Sequence, residues 1–284
     1  MRNVAPKILG EHANVEIVTS IEMPARTKMK ATPGCPDLTH RPERIKLGLS
    51  IGHGDGSAGS IGGIVDTPDG DGVLSAAHVI ALAGAADIDD WVYQPGKPDV
   101  RPLSATDRIG RLRNFTVFAR DSTNEMDAAY ALLENDVEHD ANVIPCGLGC
   151  PGEGRSISGF ARLEDLRLGM KIGKIGRSSC YTEGRLAAVG VLRNSIRTST
   201  HGNLAFGNII EVTWGSRRKP FTEPGDSGSL YFVVDTLEAV ALHVAAGQRL
   251  GRSGVSYGCE LLPMLDHFGI KLIGVPRRMG KVAA

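Results

Sequence analysis

The sequence lacks long apolar runs, an excess of one charge, and all but a few aromatic residues. Aromatic side chains make up 5% of the chain, and no stretch of about 18 consecutive apolar residues could cross a bilayer as a helix. Lys and Arg number 32, as do Asp and Glu. The resulting net charge of zero gives no general attraction to nucleic acid or anionic lipid. A chain of 284 residues can nevertheless bury a full core, as one large domain or two small ones.

Cysteines are also few, at positions 35, 146, 150, 180 and 259. This odd, sparse set in a large chain predicts reduced thiols. Cys146 and Cys150 stand four apart, but no second pair of Cys or His residues completes a four-ligand zinc site, and we expect no metal. The N-terminal residues 1–16 mix charged with apolar residues and lack the apolar core of a signal peptide. We therefore expect a cytoplasmic protein.

Glycine, in contrast, is abundant, with 36 residues, which favours many tight turns between short strands. Period-2 alternation marks runs at residues 15–21, 60–65, 91–94, 111–119, 184–191, 208–213, 230–234 and 239–244. Turn-forming residues bracket most of these runs, and this pattern is typical of strands. The clearest helix is predicted at residues 260–268, followed by Gly269. The sequence therefore predicts an all-β sandwich or barrel, with a boundary between two halves near residues 151–155.

One heptapeptide, residues 223–229, places Ser227 between two glycines, directly before an apolar run. A serine on a tight glycine turn is exposed, and neighbouring backbone N–H groups can converge there. Acyl transfer needs this arrangement, because the developing oxyanion requires preorganised donors. An ordinary Gly-Ser turn between strands is the alternative.

A serine nucleophile needs a base and an orienting group. His78 follows an apolar strand and the small residues Ala76 and Ala77, which would let its imidazole lie beside a cleft. Asp127 opens the apolar run 128–133, where a carboxylate would need a hydrogen-bond partner. Each alone has a simpler explanation, a half-buried structural histidine and a turn or cap aspartate.

Together the segments Leu-Ser-Ala-Ala-His, Met-Asp-Ala-Ala-Tyr-Ala-Leu-Leu and Gly-Asp-Ser-Gly-Ser resemble the chymotrypsin/trypsin-like serine peptidase family. The order His78, Asp127, Ser227 is that family's order, with separations of 49 and 100 residues. Residues 174–184, Lys-Ile-Gly-Arg-Ser-Ser-Cys-Tyr-Thr-Glu-Gly, resemble the stretch that opens the second barrel in bacterial members. With Ser-Ile-Gly-His at 50–53, the resemblance points to an intracellular bacterial branch related to the plant narrow-leaf proteins. It covers residues 48–270.

The resemblance implies two antiparallel six-stranded β-barrels, a short C-terminal helix and an N-terminal extension. The extension would occupy residues 1–48, the first barrel 49–152, the second barrel 153–275, and a basic tail 276–284. The implied activity is that of a serine endopeptidase, in which Ser227 attacks, His78 transfers the proton and Asp127 orients His78. Gly225 and Ser227 would donate to the oxyanion.

The same resemblance suggests substrate-binding residues, which are Phe221, His243, Val244 and Ala245. No acidic residue is evident at the pocket base, which weighs against a preference for Lys or Arg. Cleavage-dependent activation is unexpected, because no basic site precedes residues 61–64 (Ile-Gly-Gly-Ile). Asp226 must then find a partner other than a new N-terminus, and the sequence does not identify it.

The expected partner is a protein or peptide substrate, with no cofactor, nucleic acid or membrane. The main alternative is a catalytically silent trypsin-like module that acts as a protein-binding scaffold. Nucleic-acid binding has only the short basic clusters 217–219 and 277–281 in its favour, and solvated loops explain these better. A homo-oligomer remains open.

Overall fold

The computed structural model describes residues 17–18, 36–100, 102–145, 147, 149–198, 201–214, 220–248 and 254–277. Cys35, Cys146, and most of the predicted N-terminal extension and basic tail lie outside these residues. In the described part the strands are β1 (Ile17–Val18), β2 (Ser50–His53), β3 (Gly59–Ser60), β4 (Gly63–Thr67), β5 (Gly70–Ser75), β6 (Trp91–Tyr93), β7 (Arg108–Phe115), β8 (Thr123–Asn124), β9 (Ala129–Leu133), β10 (Gly159–Phe160), β11 (Lys171–Gly176), β12 (Cys180–Thr198), β13 (Gly202–Trp214), β14 (Leu230–Val233), β15 (Glu238–Gln248), β16 (Gly254–Glu260) and β17 (Lys271–Leu272). The helices are α1 (Ala77–Ile80) and α2 (Leu261–Phe268), and single 3₁₀ turns occupy Leu82–Gly84, Ala105–Asp107 and Leu163–Asp165.

The first sheet has the strand order β17-β4-β5-β9-β7-β6-β2-β3, and all its pairings are antiparallel. Its apolar side chains form one core with those of the second half. β17 comes from the end of the chain and pairs with β4, so the C-terminal segment returns to the first sheet after crossing the second. The predicted limits of the two halves themselves stay a prediction.

The second sheet has the order β1-β12-β11-β14-β15-β16-β13-β8, with β10 beside β15 and β12 also paired to β13. The long hairpin of β12 and β13 is irregular, with several register shifts, which bend paired strands. It reaches the first half, where Asn124 Nδ2 donates to the Ala205 carbonyl oxygen over 3.0 Å. Phe118 also packs edge-to-face on Phe206, with ring centroids 5.6 Å apart. The hairpin therefore joins the two halves.

The predicted two-barrel, all-β fold is confirmed. Without the two-residue strands, each sheet keeps six principal strands, β2, β4, β5, β6, β7 and β9 in the first and β11 to β16 in the second. The predicted C-terminal helix is present as α2 and ends at Gly269, whose φ of 68° suits glycine. Its apolar face is buried, and Phe268 packs edge-to-face on Tyr130 of β9 with centroids 5.4 Å apart. None of the helices in the described residues is long and apolar enough to span a membrane.

One expectation about the cysteines is wrong. Cys180 is disulfide-bonded, although the count and spacing predicted reduced thiols. Those features cannot reveal a pair, because pairing depends on which segments the fold brings together. Cys259 is completely buried, and this burial raises the pKa of its thiol, which keeps the sulfur protonated.

Asn142 ties the segment after β9 to β4 and to the segment after β17, and we predict that Asn142→Ala is destabilising. Its side chain accepts from Ile64 N over 2.9 Å and donates to the carbonyl oxygens of Ile64 and Ile273 over 2.7 and 2.9 Å. Loss of these buried bonds should lower the free energy of unfolding by about 1–3 kcal/mol, measured by urea denaturation at pH 7. Asn114→Ala, at an exposed position, is the control and should have little effect. Equal stability of the two variants would contradict the assignment.

Candidate active site

The predicted pair of His78 and Asp127 comes together in the first half. α1 presents His78, and the loop before β9 presents Asp127, which is only 1% exposed. Asp127 Oδ2 is hydrogen-bonded to His78 Nδ1, and Asp127 Oδ1 accepts from the His78 backbone N over 3.1 Å. Because an ionised carboxylate can only accept, Nδ1 carries the proton and Nε2 remains available as a base. The carboxylate thus fixes both the ring and its backbone.

Ser227 lies in the loop before β14 and is partly exposed. Its carbonyl oxygen accepts from Ser60 N over 2.8 Å, which ties the loop to the first half. The next residue, Gly228, has a φ of 84°. A Cβ atom there would collide with Ser75 Oγ and lie 2.9 Å from Ala76 N, so only glycine permits this approach to the segment that leads into His78.

Within the described residues, Ser227 Oγ forms no hydrogen bond with the His78 ring. Such bonds are often long without substrate and tighten when the substrate binds. Ser227 belongs to the second half and His78 to the first, and the close approach of Gly228 to Ser75 and Ala76 brings their two segments together. That Ser227 and His78 act as a pair stays a prediction.

The peptide bond between Pro224 and Gly225 leaves one N–H free. Ser178 Oγ donates to the Pro224 carbonyl oxygen over 2.6 Å. Since a trans peptide directs its N–H opposite to its C=O, this bond turns Gly225 N–H away from Ser178. Gly225 N–H has no acceptor in the described part of the chain.

The peptide bond between Asp226 and Ser227 is fixed in the same way. Its carbonyl oxygen accepts from Ser229 N over 2.9 Å, and no described residue accepts from Ser227 N–H. Two free donors therefore flank Asp226, each oriented through the carbonyl of its own peptide. An oxyanion site consists of such a pair.

Asp226 itself is completely buried and takes its hydrogen bonds from the segment that resembles the bacterial enzymes. Lys174 Nζ lies 2.9 Å from Oδ2, and both side chains are 0% exposed. Ser179 Oγ donates to Oδ2 over 2.5 Å, and the backbone N atoms of Ser178 and Ser179 donate to Oδ1 over 2.9 and 3.1 Å. Glu223 N also donates to Oδ2, over 2.9 Å. Lys174 is thus the partner that the sequence did not identify.

Opposed effects set the charges of this pair. Burial alone would raise the pKa of Asp226, but the positive charge of Lys174 and the bond from Ser179 outweigh burial and lower the pKa. Burial lowers the pKa of Lys174, and attraction to Asp226 partly offsets that effect. The carboxylate therefore stays ionised at neutral pH, with its counter-ion beside it.

Lys174 had a signal in the sequence. Side chains alternate between the two faces of a strand, so Ile172 shares a face of β11 with Lys174, and Ile175 lies on the other face. Both isoleucines are buried, so both faces of this strand are buried. A lysine between buried apolar residues demands a buried anion. The pattern did not indicate Ser60, which bonds to the loop through the tertiary fold, or the pair of Arg177 and Asp99.

The predicted substrate-binding residues divide into two groups. Val244 lines a small cavity together with His78, Asp127 and residues of the β12–β13 hairpin, and Ala245 follows it on β15. Phe221 is completely buried and packs edge-to-face on Tyr231, with centroids 5.1 Å apart. Substrate binding by these residues stays a prediction.

His243, also predicted to bind substrate, is buried within the second half. Its Nδ1 lies 2.7 Å from the Tyr231 hydroxyl and 3.2 Å from the Tyr257 carbonyl oxygen. Burial lowers the pKa of His243 to about 3, so the ring is neutral near pH 7. Its backbone N donates to the Ser229 carbonyl oxygen, and its carbonyl oxygen accepts from Gly228 N, each over 2.9 Å. His243 therefore fixes the chain just beyond Ser227.

No group of three or more metal-ligating side chains occurs within the described residues. Of the two cysteines considered for zinc, only Cys150 lies there.

Several solved structures have the same fold. A Nocardiopsis protease, NAPase, matches with a TM-score of 0.57 and 17% identity, over 81% of this chain and 98% of that chain. Thermobifida fusca protease A matches at 0.55 and 14%, over 81% and 98%. A glutamic acid-specific serine protease that uses a histidine triad in substrate binding matches at 0.55 and 19%, over 80% and 100%. No family model and no curated protein matches the sequence.

These neighbours are chymotrypsin-like serine proteases, and the chain has their double-barrel fold. At 14–19% identity the likeness concerns the fold alone. Support for peptidase activity must therefore come from the arrangement of residues around Ser227.

We predict that Lys174→Met destabilises the protein by about 3–5 kcal/mol, because it leaves the buried Asp226 charge without a partner. Urea denaturation at pH 7 measures the loss. The double variant Lys174→Met/Asp226→Asn removes both charges and should recover part of the stability. Lys171→Met, exposed on the same strand, is the control. A Lys174 variant as stable as this control would contradict a buried ion pair.

We also predict that His243 lowers the free energy of unfolding as the pH falls below neutral. The folded ring resists protonation until about pH 3, whereas an unfolded histidine takes up a proton below about pH 6.5. The free energy of unfolding should therefore fall by about 2 kcal/mol from this residue between pH 7 and pH 5. Urea midpoints at several pH values measure it.

In His243→Gln this part of the pH dependence should disappear. His267→Gln, at an exposed position, should keep the wild-type slope. Identical slopes for wild type and His243→Gln would show that His243 is not the group responsible.

Proposed function

We propose that the protein is a serine endopeptidase that cleaves peptide bonds through an acyl-enzyme. The observation that supports this most is the pair of free N–H groups at Gly225 and Ser227, each fixed through its own peptide. The chain also supplies the partly exposed Ser227 and a base, His78, whose Nδ1–H is held by Asp127. A Gly-Ser turn with only a structural role would not need two oriented, unpaired donors.

In the proposed mechanism, Ser227 Oγ attacks the carbonyl carbon of the substrate while His78 Nε2 takes the hydroxyl proton. The oxyanion accepts from Gly225 and Ser227 N–H. His78 then gives the proton to the leaving amine, which releases the first product. Water repeats the sequence on the acyl-enzyme and restores Ser227. Asp127 stays ionised and stabilises the imidazolium.

The proposed substrate is a protein or peptide, and Val244 and Ala245 are the proposed contacts for it. We keep the intracellular bacterial branch as part of this proposal, on the motif at residues 174–184. The cytoplasmic location belongs to the same proposal, and the Cys180 disulfide is the observation against it, because reducing compartments disfavour such bonds. Fractionation of cells that produce the protein tests the location.

We predict that a fluorophosphonate probe labels the wild type at Ser227, because only an activated serine attacks it. Ser227→Ala should take up no label, because it lacks the attacking oxygen, and His78→Ala should lower the labelling rate by about 10⁶-fold. Asp127→Asn should keep the fold and lose about 10⁴-fold, since the imidazole is then held in the wrong tautomer. Intact-protein mass spectrometry gives the rates.

Ser158→Ala changes an exposed serine in a different segment from Ser227. It is the control and should react at the wild-type rate. Cys259→Ser should also react, because no thiol takes part. A well-folded wild type that never reacts would favour the silent scaffold instead. Full activity in Ser227→Ala, with loss in a cysteine variant, would require a thiol nucleophile.

A further inference from the structure

A second buried ion pair joins the two halves next to residues 223–229, which we call the oxyanion loop. Asp99 follows β6 in the first half, and Arg177 lies between β11 and β12 in the second; their side chains are 9% and 2% exposed. Arg177 Nε donates to Asp99 Oδ2 over 2.5 Å and Nη2 donates to Oδ1. Ser50 Oγ also donates to Oδ2, over 2.5 Å. A two-point guanidinium–carboxylate pair of this kind fixes the plane of the arginine.

The remaining arm of the guanidinium points to the oxyanion loop. Arg177 Nη1 donates to Ser178 Oγ over 3.2 Å, and Ser178 Oγ donates to the Pro224 carbonyl oxygen over 2.6 Å. Because a guanidinium can only donate, the serine must accept from Arg177 and use its own proton on Pro224. The direction of both bonds is thereby set.

The Arg177 guanidinium also packs closely against Gly225, the residue after Pro224. Gly225 has a φ of 99°, and a Cβ atom there would collide with Arg177 Nη1 and Ser178 Oγ. The backbone of Arg177 adds a second link, since its N donates to Ser60 Oγ over 2.9 Å, and Ser60 Oγ donates to the Gly225 carbonyl oxygen over 3.1 Å. Both peptides of Gly225 are thus held from Arg177.

We propose that Arg177, anchored by Asp99, is a positioning residue that directs Gly225 N–H into the cleft through Ser178. The inference rests on the proposed function, because this N–H stabilises an oxyanion. It implies that Arg177 acts on the transition state and not on substrate binding. It also makes the oxyanion site depend on correct docking of the two halves.

The test compares Ser178→Ala and Arg177→Lys with the wild type, using p-nitrophenyl acetate as substrate. Each variant should lower the acylation rate by about 10²-fold, the loss typical of one oxyanion donor. The dissociation constant of the ester, taken from the concentration dependence of the burst rate, and the midpoint of the pH profile should stay unchanged, because His78 and the binding surface are untouched. The controls are Ser158→Ala, which removes another serine-to-carbonyl bond, and Arg44→Lys, which alters an exposed ion pair. Both should keep the wild-type rate.

Crystal structures of the two variants provide a readout that does not require activity. The inference predicts that the Pro224–Gly225 peptide turns once its bond to Ser178 or the arginine fork is lost. An unchanged peptide overturns the inference, whether or not the wild type reacts. An unchanged acylation rate constant in an active protein, or a change confined to the dissociation constant of the ester, also overturns it. Failure of the wild type to react with fluorophosphonate or ester overturns the proposed function instead.

Discussion

The structure around Ser227 depends on one constraint, a carboxylate that has no contact with water. Moving a charge out of water costs several kcal/mol even after the protein relaxes, so Asp226 must be surrounded by donors. Lys174 supplies the opposite charge, and Ser178 and Ser179 supply hydrogen bonds. Once these donors are in place, the loop on either side of Asp226 has little freedom. The N–H groups of Gly225 and Ser227 then have no acceptor among the residues that the structure describes.

Lys174 lies on β11, Ser178 and Ser179 lie in the turn that follows it, and that turn also contacts the other half of the protein. Ser178 holds the Pro224 carbonyl, while its neighbour Arg177 pairs with Asp99. Ser60, on the first sheet, holds the carbonyl oxygens of both Gly225 and Ser227. The conformation of the loop that carries the proposed oxyanion donors is therefore coupled to the contact between the two halves.

Sequence patterns predicted the strands and the C-terminal helix, which the structure confirms, because alternation and turn residues are local signals. The order of three short motifs also predicted His78, Asp127 and Ser227; the structure joins the first two by a hydrogen bond, and the role of Ser227 stays a prediction. Arg177 and Ser60 lie 117 residues apart, and Arg177 and Asp99 lie 78 apart. Neither pair has a local pattern. The Cys180 disulfide was missed for the same reason, since pairing of distant segments is a tertiary property.

The position of Lys174, which supplies the positive charge beside Asp226, also determines how residues 223–229 become ordered. Lys174 is part of β11 and lies opposite Tyr231 where β11 pairs with β14, four residues beyond Ser227. Its ammonium therefore reaches Asp226 when these two strands pair, and no chain cleavage is needed to create it. A charge carried by a central strand also cannot leave without breaking the sheet. Order in the oxyanion loop then follows from folding of the second half and its docking onto the first.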